Sequence, residues 1–548
     1  MRITTQERSR AILLGAAVGD ALGWPQEPRG GLVGGARARE ARPREAIFTD
    51  WRRNAGTRFQ RYQETVRAGE YSDDTQLMLA VARSCLYGEG WLRHFIRAEL
   101  PAWPTYQRGG GRAVLQAANA WASGRAPWLR GSGSGVTPDK YFDAGANGAA
   151  MRIAPHVIWA LTNGDRQQLY ARVVADATTT HGHPRAILGA LALASALYEA
   201  ATSDDTLHPD TLINAAYDAV TYDPDIHVLF VWDNNDRADW FTATWLEACN
   251  EMSQLLTIVS SSLNRGSMSN VSDTLDDLGA KGRYSGSGTI SVAAALYLAG
   301  RAGSRPYSGL VQAAFEPGLD TDTVASMAAS VLGAVHGVDW LSDADVQDRE
   351  YIEKLADALC TPQAFELVED SSLVPTRQFF RALDNEQAIG DFPDGRRFHR
   401  SESSVISESP WVIRHRLELS DGQTVVVDRT RRTPPVSPPA IDDDATTPSR
   451  VSVRVALPTA NIAMTRNYYE YLLGRRLNGG SNSVIIDDGI IFEQVAEANR
   501  AWTADAQLTI RNKMAYQRAL QFADAKERGN GVLTVRDPDG RILFITMT

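Results

Sequence analysis

Apolar residues recur at every third or fourth position in Gln76–Leu86, Pro184–Ala200, Thr289–Leu298 and Thr323–Val335, the spacing of helices with a buried face. These stretches are rich in Ala, Ser and Gly, so the helices they predict can approach one another closely. Gly and Pro cluster between them at Gly109–Gly111, Gly131–Pro138 and Gly282–Gly288. The pattern predicts one large all-α domain over residues 1–366 that carries its chemistry on loops.

The pattern changes after about residue 370. Trp411–Leu419 alternates, Asp421-Gly422 marks a turn, and Gln423-Thr-Val-Val-Val follows, which predicts a β-hairpin within a small β-rich segment, 367–432. Residues 433–450 carry Pro434, Pro435, Pro438, Pro439 and Pro448 with Asp442–Asp444, the composition of a solvated, semi-extended linker. From Val451 the pattern runs strand, helix, strand, strand, helix, strand, strand. Its marks are a strand at Val451–Leu457, a helix at Met464–Leu473, and turns at Asp487-Asp488-Gly489 and Asp537-Pro538-Asp539-Gly540. A C-terminal α+β domain is expected over 451–548.

Composition narrows the function classes. The 548 residues carry a net charge of -10, which disfavours nucleic acid as a partner except as a modified substrate. Three cysteines, Cys85, Cys249 and Cys360, form no Cys-x-x-Cys pair. They point away from a disulfide framework and toward a reducing, cytoplasmic location. The run Ala11–Val18 is too short for a membrane span.

Two acidic clusters carry the candidate chemistry. Ser72-Asp73-Asp74-Thr75 and Asp320-Thr321-Asp322-Thr323 each set two carboxylates beside hydroxyls, and each opens a helix-like stretch. Such residues cap helices, and capping alone accounts for either cluster. Together they also supply only oxygen donors, the set a hard divalent cation such as Mg²⁺ takes.

These clusters, with Gly15-Ala-Ala-Val-Gly-Asp-Ala-Leu-Gly23, Gly145-Ala-Asn-Gly-Ala-Ala-Met-Arg152 and His181-Gly-His-Pro184, resemble the ADP-ribosylglycohydrolases, the dinitrogenase-reductase-activating-glycohydrolase-like superfamily, in the same order. The resemblance covers roughly residues 8–340. It implies an all-α fold whose central cleft holds two Mg²⁺ ions, with Mn²⁺ able to substitute. Ser72, Asp73, Asp74, Asp320, Asp322 and Thr323 would be the ligands. Glu27, Asp73 and Asp322 would be catalytic, Glu27 matching a catalytic or gating glutamate. Asn147, Gly148 and Ala149 match a loop that receives ADP-ribose, and His181 a position lining the ligand. A histidine satisfied by backbone in a Gly-rich loop is the alternative for His181.

The implied activity is removal of ADP-ribose from a modified protein or other acceptor. A non-catalytic ADP-ribose-binding protein is the alternative. The chain departs from the family pattern at Leu319, where the second glycine of a pair is usual. It departs again at Pro104–Arg112, which lacks the acid found near this loop in arginine-specific relatives. The linkage is therefore left open, as is the oligomeric state.

Asn467–Gly474 and Val535–Gly540 resemble the glyoxalase/bleomycin-resistance (vicinal oxygen chelate) fold. The first strand has no histidine and Arg541–Ile545 has no acid. A binding or dimerising role without metal chemistry is expected there, a module with its own small ligand being the alternative.

Overall fold

The computed structural model describes residues 3–57, 59–129, 137–203, 208–224, 235–361, 365, 367–369 and 372–431, together with segments between 455 and 546 that include seven strands and a helix. The chain divides into two compact units, 1–436 and 437–548.

The first unit is built around helix Thr5–Gly23. Its start is fixed by a capping box: the Thr4 hydroxyl accepts from the Glu7 N–H at 3.2 Å, and the Glu7 carboxylate accepts from the Thr4 N–H at 2.8 Å. From Ala11 onward every residue of this helix is buried. Gly15, Gly19 and Gly23, one turn apart, face helix Thr321–His336. A Cβ at Gly19 would sit 2.3 Å from the Ala325 carbonyl oxygen, and one at Gly23 would sit 2.2 Å from that of Thr321. The two backbones therefore touch directly. This contact brings the N-terminus of the second helix beside the C-terminal end of the first, which positions the site. Gly19→Ala is expected to cost roughly 2–3 kcal/mol, since the obstacle is backbone and cannot swing away. An unchanged thermal midpoint by circular dichroism would show that the helices can separate without loss.

The four predicted helical stretches are present as Asp73–Cys85, Pro184–Thr202, Gly288–Ala302 and Thr321–His336. The all-α expectation for 1–366 needs one correction. Trp51–Thr57 (β1) and Gln60–Val66 (β2) form an antiparallel hairpin, with register from Trp51↔Val66 to Thr57↔Gln60. Its sequence is mostly Arg, Gln, Glu, Thr and Asn, and it lacks the apolar alternation that marks a strand.

The β-rich segment is a four-stranded antiparallel sheet of Ile389–Asp391 (β3), Arg397–Glu408 (β4), Trp411–Leu419 (β5) and Thr424–Arg431 (β6), in that order. The predicted hairpin is β5–β6, turning at Gly422 with φ +105°. The sheet shares the core of the helices: Phe398, Leu417, Leu419, Val425 and Val427 belong to the same apolar cluster as Leu13, Leu77 and Leu355. The opposite face carries Arg414, Arg416, Val426, Asp428 and Thr430, because side chains alternate along a strand.

In the second unit, Val455–Thr459 (β7), Ser483–Asp487 (β8) and Ile490–Gln494 (β9) form a sheet in the order β7-β9-β8, and helix Ile462–Leu473 follows β7. Gln507–Arg511 (β10), Lys526–Glu527 (β11), Val532–Arg536 (β12) and Ile542–Thr546 (β13) form another, in the order β10-β13-β12-β11. Residues 433–450 of the expected linker, 451–454 of the expected first strand, and most of both expected turns lie outside the described residues. Among the described residues no helix is long and apolar enough to cross a membrane.

Candidate active site

A cleft of about 780 Å³ in the first unit gathers the two acidic clusters and Glu27. Asp20, on the first helix, fixes one side. Its buried carboxylate accepts from the Ser72 N–H at 3.0 Å, the Thr75 N–H at 3.0 Å and the Thr75 hydroxyl at 2.6 Å. The turn so held starts helix Asp73–Cys85, with Asp73 and Asp74 in its first turn. The Ser72 hydroxyl serves as the cap, accepting from the Asp74 N–H at 3.3 Å, and Ser72 does not line the cleft.

The other side is the start of helix Thr321–His336. The Thr321 hydroxyl donates to the Gly23 carbonyl at 2.9 Å, and the Asp322 carboxylate accepts from the Thr323 N–H at 2.8 Å. Glu27 follows the short 3₁₀ turn Trp24–Gln26, its N–H donating to the Gly23 carbonyl at 3.1 Å. Oxygens of Glu27, Asp320 and Asp322 all lie within 4.8 Å of one another. Asp73, Asp74 and Thr323 line the same cleft. Two helix N-termini thus point their positive ends at one set of carboxylates.

The acids crowd one another. Burial, then the Glu27, Asp74, Asp320 and Asp20 carboxylates, push the Asp322 carboxyl well above the usual range. Burial, then Asp20, Asp73 and Asp320, do the same to Asp74. Burial, then Asp20 and Asp320, push Asp73 up to about 7, and burial, then Asp320 and Asp73, push Glu27 up to about 8. Burial also raises Asp320, against a hydrogen bond from Asn147.

Asn147 is spent on structure. Its amide donates to Asp320 Oδ2 at 2.8 Å and to the Ser291 hydroxyl at 3.1 Å. It also lines the cleft with Gly148 and His181, whereas Ala149 is fully buried in the apolar core and does not. His181 Nδ1 is 2.7 Å from the Thr180 hydroxyl. Burial, then the Arg152 charge, pull its imidazole down to about 3, so it is neutral.

Several cleft residues carry no local sequence signal. Arg108 donates to Glu70 at 2.6 Å and to Glu64 at 3.1 Å. This seats the glycine loop so close that a Cβ at Gly109 would lie 2.9 Å from Asp73 Oδ1. The Arg53 guanidinium lies 4.9 Å from the Trp24 ring centroid and its Nε is 3.1 Å from Glu64. Tyr62 and, from β6, Asp428 complete that wall, the Tyr62 hydroxyl donating to Asp428 at 2.8 Å.

A family model described as ADP-ribosylglycohydrolase matches residues 1–368. Among solved structures, one titled "ADP-ribosylglycohydrolase-related protein complex" is similar at 20% identity, with a TM-score of 0.39, covering 65% of this chain and 98% of its own. No curated protein matches the chain.

Proposed function

The chain belongs to the ADP-ribosylglycohydrolase family and is a glycohydrolase of ADP-ribose linkages, and from that premise we propose that the acidic cleft performs the hydrolysis with bound Mg²⁺. The observation that carries this reading is the convergence of Glu27, Asp320 and Asp322 oxygens within 4.8 Å, beside Asp73 and Asp74. The residues fit a hard cation. All the donors are oxygens, and Asp74 Oδ1 is buried with no hydrogen-bond partner, which is costly unless a cation faces it. Asp73, Asp74, Asp320, Asp322 and Thr323 would hold two ions. The Ser72 hydroxyl, which accepts a single hydrogen bond from the Asp74 N–H, keeps a second lone pair and would add a further oxygen to the set.

Bound there, Mg²⁺ supplies Lewis acidity that polarises substrate oxygens and lowers the pKa of water. The chain does the rest. With bound cations offsetting the burial and the Asp320 and Asp73 charges that raise it, Glu27 would be ionised and would accept the proton of the water that attacks C1″ of the distal ribose. The bond from C1″ to the acceptor breaks through an oxocarbenium-like state, the acceptor departs with a proton drawn from solvent, and Glu27 releases the proton it took to solvent, so that water is consumed and the carboxylate restored. Asp20 and Asn147 hold the acidic turns in register, so the reacting groups meet without reordering. Neutral His181 and Gly148 shape the wall that receives ADP-ribose.

For the second unit we retain the glyoxalase-like reading as a binding module. Two features support it: β7 pairs parallel with β9, and β10 pairs parallel with β13. In each half the first strand lies beside a later one.

The test is a panel of ADP-ribosylated substrates of defined linkage, assayed with Mg²⁺ and with chelator, on the full chain and on residues 1–440. Hydrolysis should vanish with chelator and return with Mg²⁺ or Mn²⁺. The shortened chain should retain activity on small substrates, since the cleft residues lie before 432. Turnover that survives thorough chelation would sink the metal reading, and binding of ADP-ribose without turnover would leave a binding protein. A folded but inactive shortened chain would place the second unit in the site.

A further inference from the structure

The acidic centre is braced by a buried ion network, and part of that network comes from the sheet β3–β6, beyond the residues 1–368 that the family model matches. We propose that Arg414 and Arg416 of β5 are positioning residues for the hydrolysis: through Glu64 and Glu70 they hold Arg108, and with it the glycine loop against Asp73 and the turn that leads to Glu27. The proposal rests on the hydrolase reading, and its test separates the two.

Glu64 and Glu70 are the joints of the network. Glu64, on β2, meets three guanidiniums: Arg53 of β1 at 3.1 Å, Arg108 of the glycine loop at 3.1 Å, and Arg414. Glu70, just beyond β2, accepts from Arg108 at 2.6 Å and from the Arg67 N–H at 3.1 Å, and it pairs with Arg416. Both acids are nearly inaccessible, at 3% and 4% side-chain exposure. Charged hydrogen bonds this far from water reinforce one another, so the placement of β5 is felt at Arg108.

Two lines lead from these joints to the reacting end of the cleft. Arg108 carries the first. The loop that follows it comes so near that a Cβ at Gly109 would lie 2.9 Å from Asp73 Oδ1 and 3.5 Å from Trp24 Nε1. Trp24 carries the second. The Arg53 and Arg108 guanidiniums lie 4.9 Å and 5.4 Å from its ring centroid, and Trp24 opens the 3₁₀ turn that precedes Glu27. Gln76, one turn into the helix that Asp73 opens, shares the first task. Its side-chain oxygen accepts from the Arg108 N–H at 3.3 Å, and its amide donates to the Tyr106 carbonyl at 3.1 Å. The loop backbone therefore stays attached when the ties to β5 are cut, and what is lost is the fit of Gly109 and Trp24 around the acids. Small displacements at a reacting centre cost turnover well before they cost the fold.

The test replaces both arginines with methionine in the full chain. Every acid keeps a partner in Arg414→Met/Arg416→Met: Glu64 retains Arg53 and Arg108, Glu70 retains Arg108, and Asp428 retains the Tyr62 hydroxyl at 2.8 Å. On an ADP-ribosyl substrate kcat should fall roughly 10–100-fold. Affinity for free ADP-ribose, read with a fluorescent ADP-ribose probe, should stay within about threefold, because the network meets the reacting end of the cleft. Amide hydrogen exchange should speed up by at least about fivefold in residues 104–112 and 23–30 and stay unchanged in helix Pro184–Thr202. Arg416→Met alone should move kcat and exchange in the same direction by less, and it covers the case in which the double variant does not fold. A kcat within about twofold of the unaltered chain would overturn the proposal. So would exchange that speeds up equally in all the helices, or a fall in ADP-ribose affinity that matches the fall in kcat. Should the unaltered chain cleave no ADP-ribosyl substrate, the hydrolase reading fails; selective exchange in residues 104–112 then still supports the tie, and unchanged exchange there overturns it.

Discussion

Asp322→Asn is expected to reduce kcat/KM by at least about two orders of magnitude in a protein that folds normally, a loss of about 2.7 kcal/mol of transition-state stabilisation. The substitution keeps the side-chain oxygen that accepts from the Thr323 N–H at 2.8 Å, so the helix start survives. It removes one negative charge from a set already crowded by Glu27, Asp74, Asp320 and Asp20. The cation-free protein should thus be no less stable than the original, and relief of repulsion can raise its thermal midpoint. A neutral amide is a poorer donor to a hard cation, so the rise in midpoint on adding Mg²⁺ should shrink. Two measurements check this: turnover on an ADP-ribosyl substrate, and thermal unfolding with and without Mg²⁺. Turnover near that of the unaltered protein would sink the two-ion centre. A collapse of the midpoint in chelator would instead make Asp322 a folding residue.

The parts of this fold that were legible in the sequence are those with short-range causes. The four buried helices show the 3.6-residue period, and the acids that open two of them stand next to the apolar runs they cap. The parts that were not legible depend on distant residues. Asp20 acts through N–H groups 52 and 55 positions away. Arg414 meets Glu64 across 350 positions, and no local pattern marks either as buried. The sheet read as a segment beside the helical part shares its core and lines its cleft for this reason. The hairpin β1–β2 escaped because its apolar contact is concentrated at its open end, where Trp51 and Val66 pack with Trp24 and Leu32, while most of the remaining positions of both strands are polar. Within the motifs themselves, sequence named the segment but not the orientation of each side chain. Ala149 turns into the core, while Gly148, its neighbour, lines the cleft.

Glu27→Gln is expected to lower kcat by roughly 10²–10⁴-fold with ADP-ribose affinity little changed, the usual worth of a general base. The geometry supports a base rather than a solvated loop residue. Glu27 leaves the 3₁₀ turn at the end of the first helix and folds beneath Gly30, where a Cβ would lie 3.0 Å from Glu27 Oε2. It shares the cleft with Asp320 and Asp322, and Arg53 and Arg29 are the charges that counter its burial. A carboxylate that close to the other acids can also close over a cation when the ribose is absent. The two roles leave different marks. A base acts only in the chemical step, so its loss falls on kcat. A gate competes with the ligand, so its loss tightens apparent ADP-ribose binding and lowers kcat less. Measuring turnover and ADP-ribose binding on the same Glu27→Gln protein separates them. A variant unchanged in both would return Glu27 to the loop and require the base to be sought among the remaining cleft acids, Asp73 first, since it lies against the glycine loop and lines the same wall.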